Sequence, residues 1–283
     1  MTSDGPWIHL VHLLEDDSPK VRQAVMVKLR ELGRDPLAAL DDAGIELNPV
    51  QRRVLASVRG ELEKARLVEG WERWSNDPPD LEAFHLLICM LLSEYGGFAD
   101  PRTLLEQWTR RYLLRHPAPD LETLVAFLFS IDGLQGDTED YFAPRNSSLT
   151  WALEHLRGLP ITLCSALILL GKRVGVDVNG VAFPGHFLAQ SQMNGQPIWI
   201  DAFDGGRFIA KEELVEALGR VPSDTRDRVL APASVVEICA RILRNVVTSL
   251  ERAEDIPRHR TAVKWLGHLD DLLRELEVPD YPV

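Results

Sequence analysis

The sequence predicts a mostly helical α+β protein, and three features carry that prediction. A proline directly after a capping residue recurs at Ser18-Pro19, Asn48-Pro49 and Asp100-Pro101. Residues 160–174 are apolar on nearly every side (Ile161, Leu163, Cys164, Ala166, Leu167, Ile168, Leu169, Leu170). Two short strand-like stretches, 179–191 and 197–203, flank Asn194-Gly195. Helices are therefore expected to fill the first half, with one buried helix and a small antiparallel sheet after it.

Each proline-containing pair marks a helix start. The cap oxygen accepts a backbone N–H, and proline supplies a preset φ where no N–H is needed. Glycine follows where the apolar period ends, at Gly33, Gly96-Gly97 and Gly158. Helices are expected near 7–15, 19–32, 36–43, 49–74, 79–95, 101–115, 120–131 and 147–157, with no strand before about residue 158. Ser75-Asn-Asp-Pro-Pro79 breaks the helical pattern and is the expected boundary.

The run 160–174 reads as a helix buried inside its domain, with Pro160 in its first turn and Gly175 at its end. Asn-Gly between strand-like segments marks a hairpin, because both residues tolerate positive φ. With that tip, Gln192 pairs with Pro197 and Leu188 falls opposite Asp201. His186, two residues from Leu188, becomes a diagonal neighbour of Asp201.

Composition excludes several classes. Hydrophobic residues make up 45% and charged residues 26%, which is ordinary for a globular chain and unlike a disordered one. Of the charges, 31 are basic and 43 acidic, a net −12 with no basic run, so no nucleic-acid partner is expected. The longest uncharged apolar run, Leu159 to Gly171, is too short to span a bilayer, so no membrane association is expected. The N-terminus lacks the basic and apolar regions of a signal peptide. The three cysteines, Cys89, Cys164 and Cys239, contain no C-x-x-C pair, which fits a reducing, cytoplasmic setting. His9 and His12 share a helix face, yet nothing completes a ligand set, and no cofactor or metal is expected.

The chemistry-bearing residues gather around the hairpin. A carboxylate beside an imidazole fixes its tautomer and favours the imidazolium, which a thiolate requires. Cys164, His186 and Asp201 in chain order make a Cys-His-Asp arrangement, the candidate catalytic set. Thr162 and Ser165 are fallback nucleophiles, although Thr162 is better suited to bracing the helix start. Asp137, Glu139, Asp140, Tyr141, Arg145 and Asn146 form a polar loop, with Asn146 as an N-cap and Arg145 paired to a carboxylate.

Four segments occur in order: Asp137-Thr-Glu-Asp-Tyr141-Phe-Ala-Pro-Arg145-Asn146-Ser147, Gly158-Leu-Pro-Ile-Thr162-Leu-Cys164, Phe183-Pro-Gly-His186-Phe-Leu and Ile200-Asp201-Ala-Phe-Asp-Gly205-Gly206. Together they resemble the transglutaminase-like proteins of the SirB type, a bacterial family, over roughly residues 80–278. The resemblance implies a papain-like core, a central helix packed on an antiparallel sheet. In active members the cysteine opens that helix in a Gly-x-Cys setting. Here Gly158-Leu-Pro160 fills that slot and Cys164 lies one turn further in, whereas His186 and Asp201 fall on the family's histidine and aspartate. Asp201-Ala-Phe-Asp also departs from the usual Asp-Pro-Phe-Asn.

The expected organisation has an all-α flank at each end. Residues 1–78 form a helical segment whose stretch 7–34 resembles a HEAT-type repeat, 79–230 the transglutaminase-like core, and 231–283 a TPR-like helical tail. The function expected is that of a non-catalytic or degenerate-site module binding a protein or peptide partner, since helical arrays present extended surfaces. The alternative is a cysteine-dependent acyl-transfer enzyme, a protease, amidase or transglutaminase, using Cys164, His186 and Asp201. The oligomeric state is left open.

Overall fold

The computed structural model describes residues 5–31, 37, 40, 44–77, 79–96, 99–131, 133–219 and 221–276. The chain divides into two compact units, Met1–Asn76 and Asp77–Val283.

The first unit is helical. Helix α1 (Gly5–His12) runs into a 3₁₀ turn (Leu13–Glu15), followed by α2 (Pro19–Glu31) and the long α3 (Pro49–Asn76). Asn48 caps α3 as its sequence suggests: its Oδ1 accepts the N–H groups of Val50 and Gln51, and Gln51 Oε1 accepts the Asn48 N–H in return. Val11, Leu14, Val25, Leu29, Leu40, Leu55 and Val58 make one apolar core. The helix expected over 36–43 lies largely outside the described residues.

The second unit is an α+β assembly around one buried helix. Helices α4 (Leu81–Leu91), α5 (Ser93–Gly96), α6 (Pro101–Arg115) and α7 (Leu121–Val125) come first, and α7 continues as a π-helical turn over Ala126–Ile131. Asp80, Asp100 and Asp120 cap α4, α6 and α7 through their carboxylates. Helix α8 (Leu149–His155) precedes the central α9 (Pro160–Val174). Leu159 and Gly175 bound α9, the latter at φ +78°, and its residues from Pro160 through Leu167 are all buried.

A four-stranded antiparallel sheet packs on α9 in the order β3 (Asn179–Val181), β4 (Leu188–Met193), β5 (Gln196–Asp201), β6 (Arg207–Ile209). Gln192 pairs with Pro197 and Ala189 with Ile200, so the expected hairpin register is the observed one. Helices α10 (Lys211–Leu218) and α11 (Ser223–Val229) follow, then the antiparallel-linked pair α12 (Val235–Arg252) and α13 (Ile256–Glu275). Ser234 and Glu237 form a full capping box at the start of α12.

Three expectations need correction. The stretch 179–191 is two strands, because Pro184 lacks an N–H and Gly185 adopts φ +69°, which reverses the chain between β3 and β4. A strand does precede residue 158: β1 (Gln135–Gly136) pairs in parallel with β2 (Arg157–Gly158), and two residues carry no readable alternation. The cap of α8 is Ser148, whose hydroxyl accepts the Trp151 N–H, while Asn146 is committed elsewhere.

Candidate functional site

The reversal at Pro184-Gly185 delivers the site's histidine. The His186 N–H donates to the Phe183 carbonyl oxygen at 3.0 Å, which closes the turn and projects the imidazole toward the end of β5. There His186 Nε2 meets Asp201 Oδ1 at 2.9 Å. Asp201 Oδ1 also accepts the N–H groups of Phe203 and Asp204, at 3.0 and 3.1 Å. Burial pushes this carboxyl up, but the His186 contact and the two backbone donors outweigh it and hold the group below the usual carboxylate range. An ionised carboxylate keeps the imidazole proton on Nε2 and leaves Nδ1 as an acceptor. Nδ1 has no hydrogen-bond partner among the described residues.

The N-terminus of α9 lines the same cleft as His186. Leu159 N–H and Thr162 Oγ1 both donate to the Asn146 carbonyl oxygen, at 3.2 and 2.9 Å, tying the helix start to the loop at 137–147. Pro160 and Ile161 line a cleft of about 30 Å³ together with His186 and Phe187. That volume has room for about two water-sized groups. Its other wall is polar: Tyr141 from the loop, and Arg241 with Asn245, one turn apart on α12.

Cys164 has different partners. It is 0% exposed, its Sγ donates to the Phe187 carbonyl oxygen at 3.6 Å, and the Ala202 N–H donates to it. Burial, and after it the Asp201 carboxylate, push the thiol far above its ordinary value, against only the Ala202 N–H. The structure thus brings His186 and Asp201 together at the cleft and gives Cys164 a backbone carbonyl in place of the imidazole. Thr162 and Ser165 are buried and donate to the Asn146 and Ile161 carbonyl oxygens, so neither offers a free hydroxyl. The Arg145 ion pair with Asp140, at 2.6 Å, braces the loop as its sequence suggests.

The arrangement holds an oriented imidazole with an unpartnered Nδ1, yet the first helical position that lines the cleft is Pro160. Its Nδ1 can accept a proton, and the cleft wall adds hydrogen-bond donors. A model of the transglutaminase-like superfamily matches residues 100–244, just over half of the chain, and that span holds every residue of the cleft but Asn245, which lies one position beyond its end. The chain belongs to that superfamily.

Similar curated relatives carry the name UPF0162 protein. The one from Xylella fastidiosa strain 9a5c is 38% identical over 126 residues, 42% of this chain and 45% of the relative. Those from Vibrio cholerae and Haemophilus influenzae are 34% and 29% identical over 85 and 94 residues, covering 32% and 35% of the relatives. The chain therefore matches less than half the length of these curated relatives. No solved structure matches.

Sequence reading singled out His186, Asp201 and the loop of Tyr141 but missed Arg241 and Asn245 as parts of the cleft. Their i, i+4 spacing, polar on a helix whose neighbouring positions Ile238, Cys239, Ala240, Ile242 and Leu243 are buried, was the available signal. Among the described residues no helix is long and apolar enough to cross a membrane.

Proposed function

We propose that this transglutaminase-like chain is a non-catalytic recognition module of the SirB type that binds a protein or peptide partner in the cytoplasm. One observation carries the reading: Pro160, which has no nucleophilic atom, stands where the cleft meets the central helix, while the Cys164 sulfur is buried against the Phe187 carbonyl. A thiol attacks as thiolate, and burial disfavours that form. The helical ends are the proposed binding apparatus: the HEAT-like segment 1–78 and the TPR-like tail 231–283, flanking a core proposed over 79–230. Three free cysteines support the reducing compartment.

The second reading is acyl transfer by Cys164, His186 and Asp201, and the 2.9 Å His186–Asp201 contact favours it. It requires the Cys164 sulfur to leave the Phe187 carbonyl for the imidazole edge. Thiol reactivity against pH separates the two. The native protein is compared with Cys164→Ala and His186→Ala, alongside amine incorporation into a glutamine-bearing peptide. The non-catalytic reading expects no fast thiol near neutral pH and no turnover. A fast thiol that vanishes in Cys164→Ala and slows in His186→Ala overturns it.

A further inference from the structure

We propose that the His186 cleft binds a single organic carboxylate, gripped by Arg241, Tyr141 and Asn245. This rests on the recognition reading above and names the chemistry recognised. The cleft wall carries hydrogen-bonding capacity that the fold leaves unspent. Arg241 Nη2 donates to the carbonyl oxygens of Phe183 and His186, at 3.3 and 2.9 Å. Its Nε and Nη1 make no hydrogen bond, and no carboxylate pairs with it, among the described residues. Burial and the neighbouring Arg244 charge both work against its cation, which raises the value of an anionic partner. The Tyr141 hydroxyl and the Asn245 amide, on the same wall, likewise have no hydrogen-bond partner among the described residues.

The donors outnumber the acceptors, which are the bare His186 Nδ1 and the Asn245 amide oxygen. Arg241, the Tyr141 hydroxyl and the Asn245 amide all can donate into the cleft, and the Ile161 N–H adds one more because the N-cap position, Leu159, has no side-chain acceptor. Such a set selects an anion, and a planar guanidinium fork matches the two in-plane oxygens of a carboxylate. The small volume admits the head group alone, so the rest of the molecule must lie outside. There the rim is aromatic: Tyr141 and Phe142 are 38% and 45% exposed with ring centroids 5.2 Å apart, and Phe142 lies under the Arg252 guanidinium at 3.6 Å. An exposed aromatic rim beside an anion slot suits an acid with an organic body over an inorganic anion. Two sources share that chemistry: the free carboxyl terminus of a peptide, and a free small carboxylic acid.

The test is an NMR titration of the full chain, following the His186 imidazole and the Tyr141 ring. The probes are acetate, N-acetyl-dialanine as the free acid, the same peptide as its terminal amide, and sulfate, at fixed pH and ionic strength. Saturable shifts with the two acids and none with the amide are expected. Arg241→Lys keeps the charge and loses the fork, and should weaken binding by about tenfold. Tyr141→Phe removes a hydroxyl with no structural bond and should weaken binding several-fold while leaving the fold intact. A peptide acid binding at least tenfold tighter than acetate assigns a peptide terminus, and equal affinities assign a free small acid. The proposal is overturned by sulfate binding as tightly as the acids, by equal response to acid and amide, by no saturable shift, or by affinities indifferent to both variants. The thiol assay reads the recognition proposal separately: a reactive Cys164 sinks that reading without touching the titration, and an inert thiol with no carboxylate binding sinks the ligand alone.

Discussion

His186 and Asp201 meet at 2.9 Å although one lies in a turn before β4 and the other ends β5. The contact is possible because Asp201 does two jobs with one oxygen: Oδ1 takes the imidazole and also closes the turn after β5 through the Phe203 and Asp204 N–H groups. Asp201→Ala loses all three bonds and should cost about 2–4 kcal/mol, whereas Asp201→Asn keeps an oxygen for the turn and should cost about 1 kcal/mol. The pH dependence has a definite sign. The folded carboxyl titrates below its unfolded value of about 3.9, so its stabilisation is present above that pH and fades as pH falls through the folded value. The stability gap between wild type and Asp201→Asn, measured by urea unfolding, should be constant from about pH 5 upward and shrink below about pH 4. A gap that widens in acid would contradict the ionised pair.

Asn146 is the second tie in the site. Its Nδ2 donates to the Asp140 carbonyl oxygen at 2.7 Å, while its own carbonyl oxygen accepts from Thr162 Oγ1 and the Leu159 N–H. The side chain is fully buried, so Asn146→Asp would aim a carboxylate at backbone carbonyl oxygens with no donor to meet them. Asn146→Ala should cost about 1–3 kcal/mol and Asn146→Asp more, with part of the Asp penalty relieved in acid as the new carboxyl protonates. Chemical denaturation of both variants at pH 7 and pH 4.5 checks the order; Asp proving milder than Ala would refute the account.

His85, in α4, is wholly buried, and neither ring nitrogen has a hydrogen-bond partner among the described residues. Burial lowers its pKa to about 3, so the folded protein holds it neutral. Unfolded, it titrates near 6.5. Between about pH 6.5 and about 3 the unfolded chain binds the extra proton, and stability falls with falling pH by up to about 1.4 kcal/mol per unit. His85→Leu removes that term along with an unsatisfied polar group. Its advantage over wild type should therefore grow from pH 7 to pH 5 by about 2 kcal/mol in thermal or urea unfolding. Parallel stability curves over that range would show that His85 is not held neutral.

What the sequence disclosed follows from how local each signal is. The buried helix was legible because apolar residues on all its sides leave no solvent face, and the β4–β5 register because Asn194-Gly195 sets the pairing from two residues away. The His186–Asp201 contact followed from that register, although the turn at Pro184-Gly185 was read as strand interior because apolar residues stand on both sides of it. The paired β1 and β2 stayed hidden, since two residues have no period and the partners lie far apart in the chain. Arg241 was equally hidden: it reaches the His186 carbonyl from 55 residues away, and nothing in a helix's own pattern names what it packs against.

Gly206 offers the sharpest packing test near the site. It closes the turn after Asp201 by donating its N–H to the Asp201 carbonyl oxygen at 2.9 Å, at φ +75°. A Cβ there would lie 2.7 Å from Phe129 and 2.8 Å from Val125, both buried, whereas a Cβ on the adjacent Gly205, at φ +62°, meets nothing within 4 Å. The two positions share the backbone penalty and differ only in space. Gly205→Ala should thus lose about 1 kcal/mol from the left-handed conformation alone. Gly206→Ala adds overpacking against Phe129 and should lose a further 1–3 kcal/mol or so. Urea denaturation of the two variants side by side isolates the packing component as their difference. A difference near zero would mean that the Val125–Phe129 segment yields to the new methyl. The turn that presents Asp201 would then be held by its hydrogen bonds and not by the core beneath it.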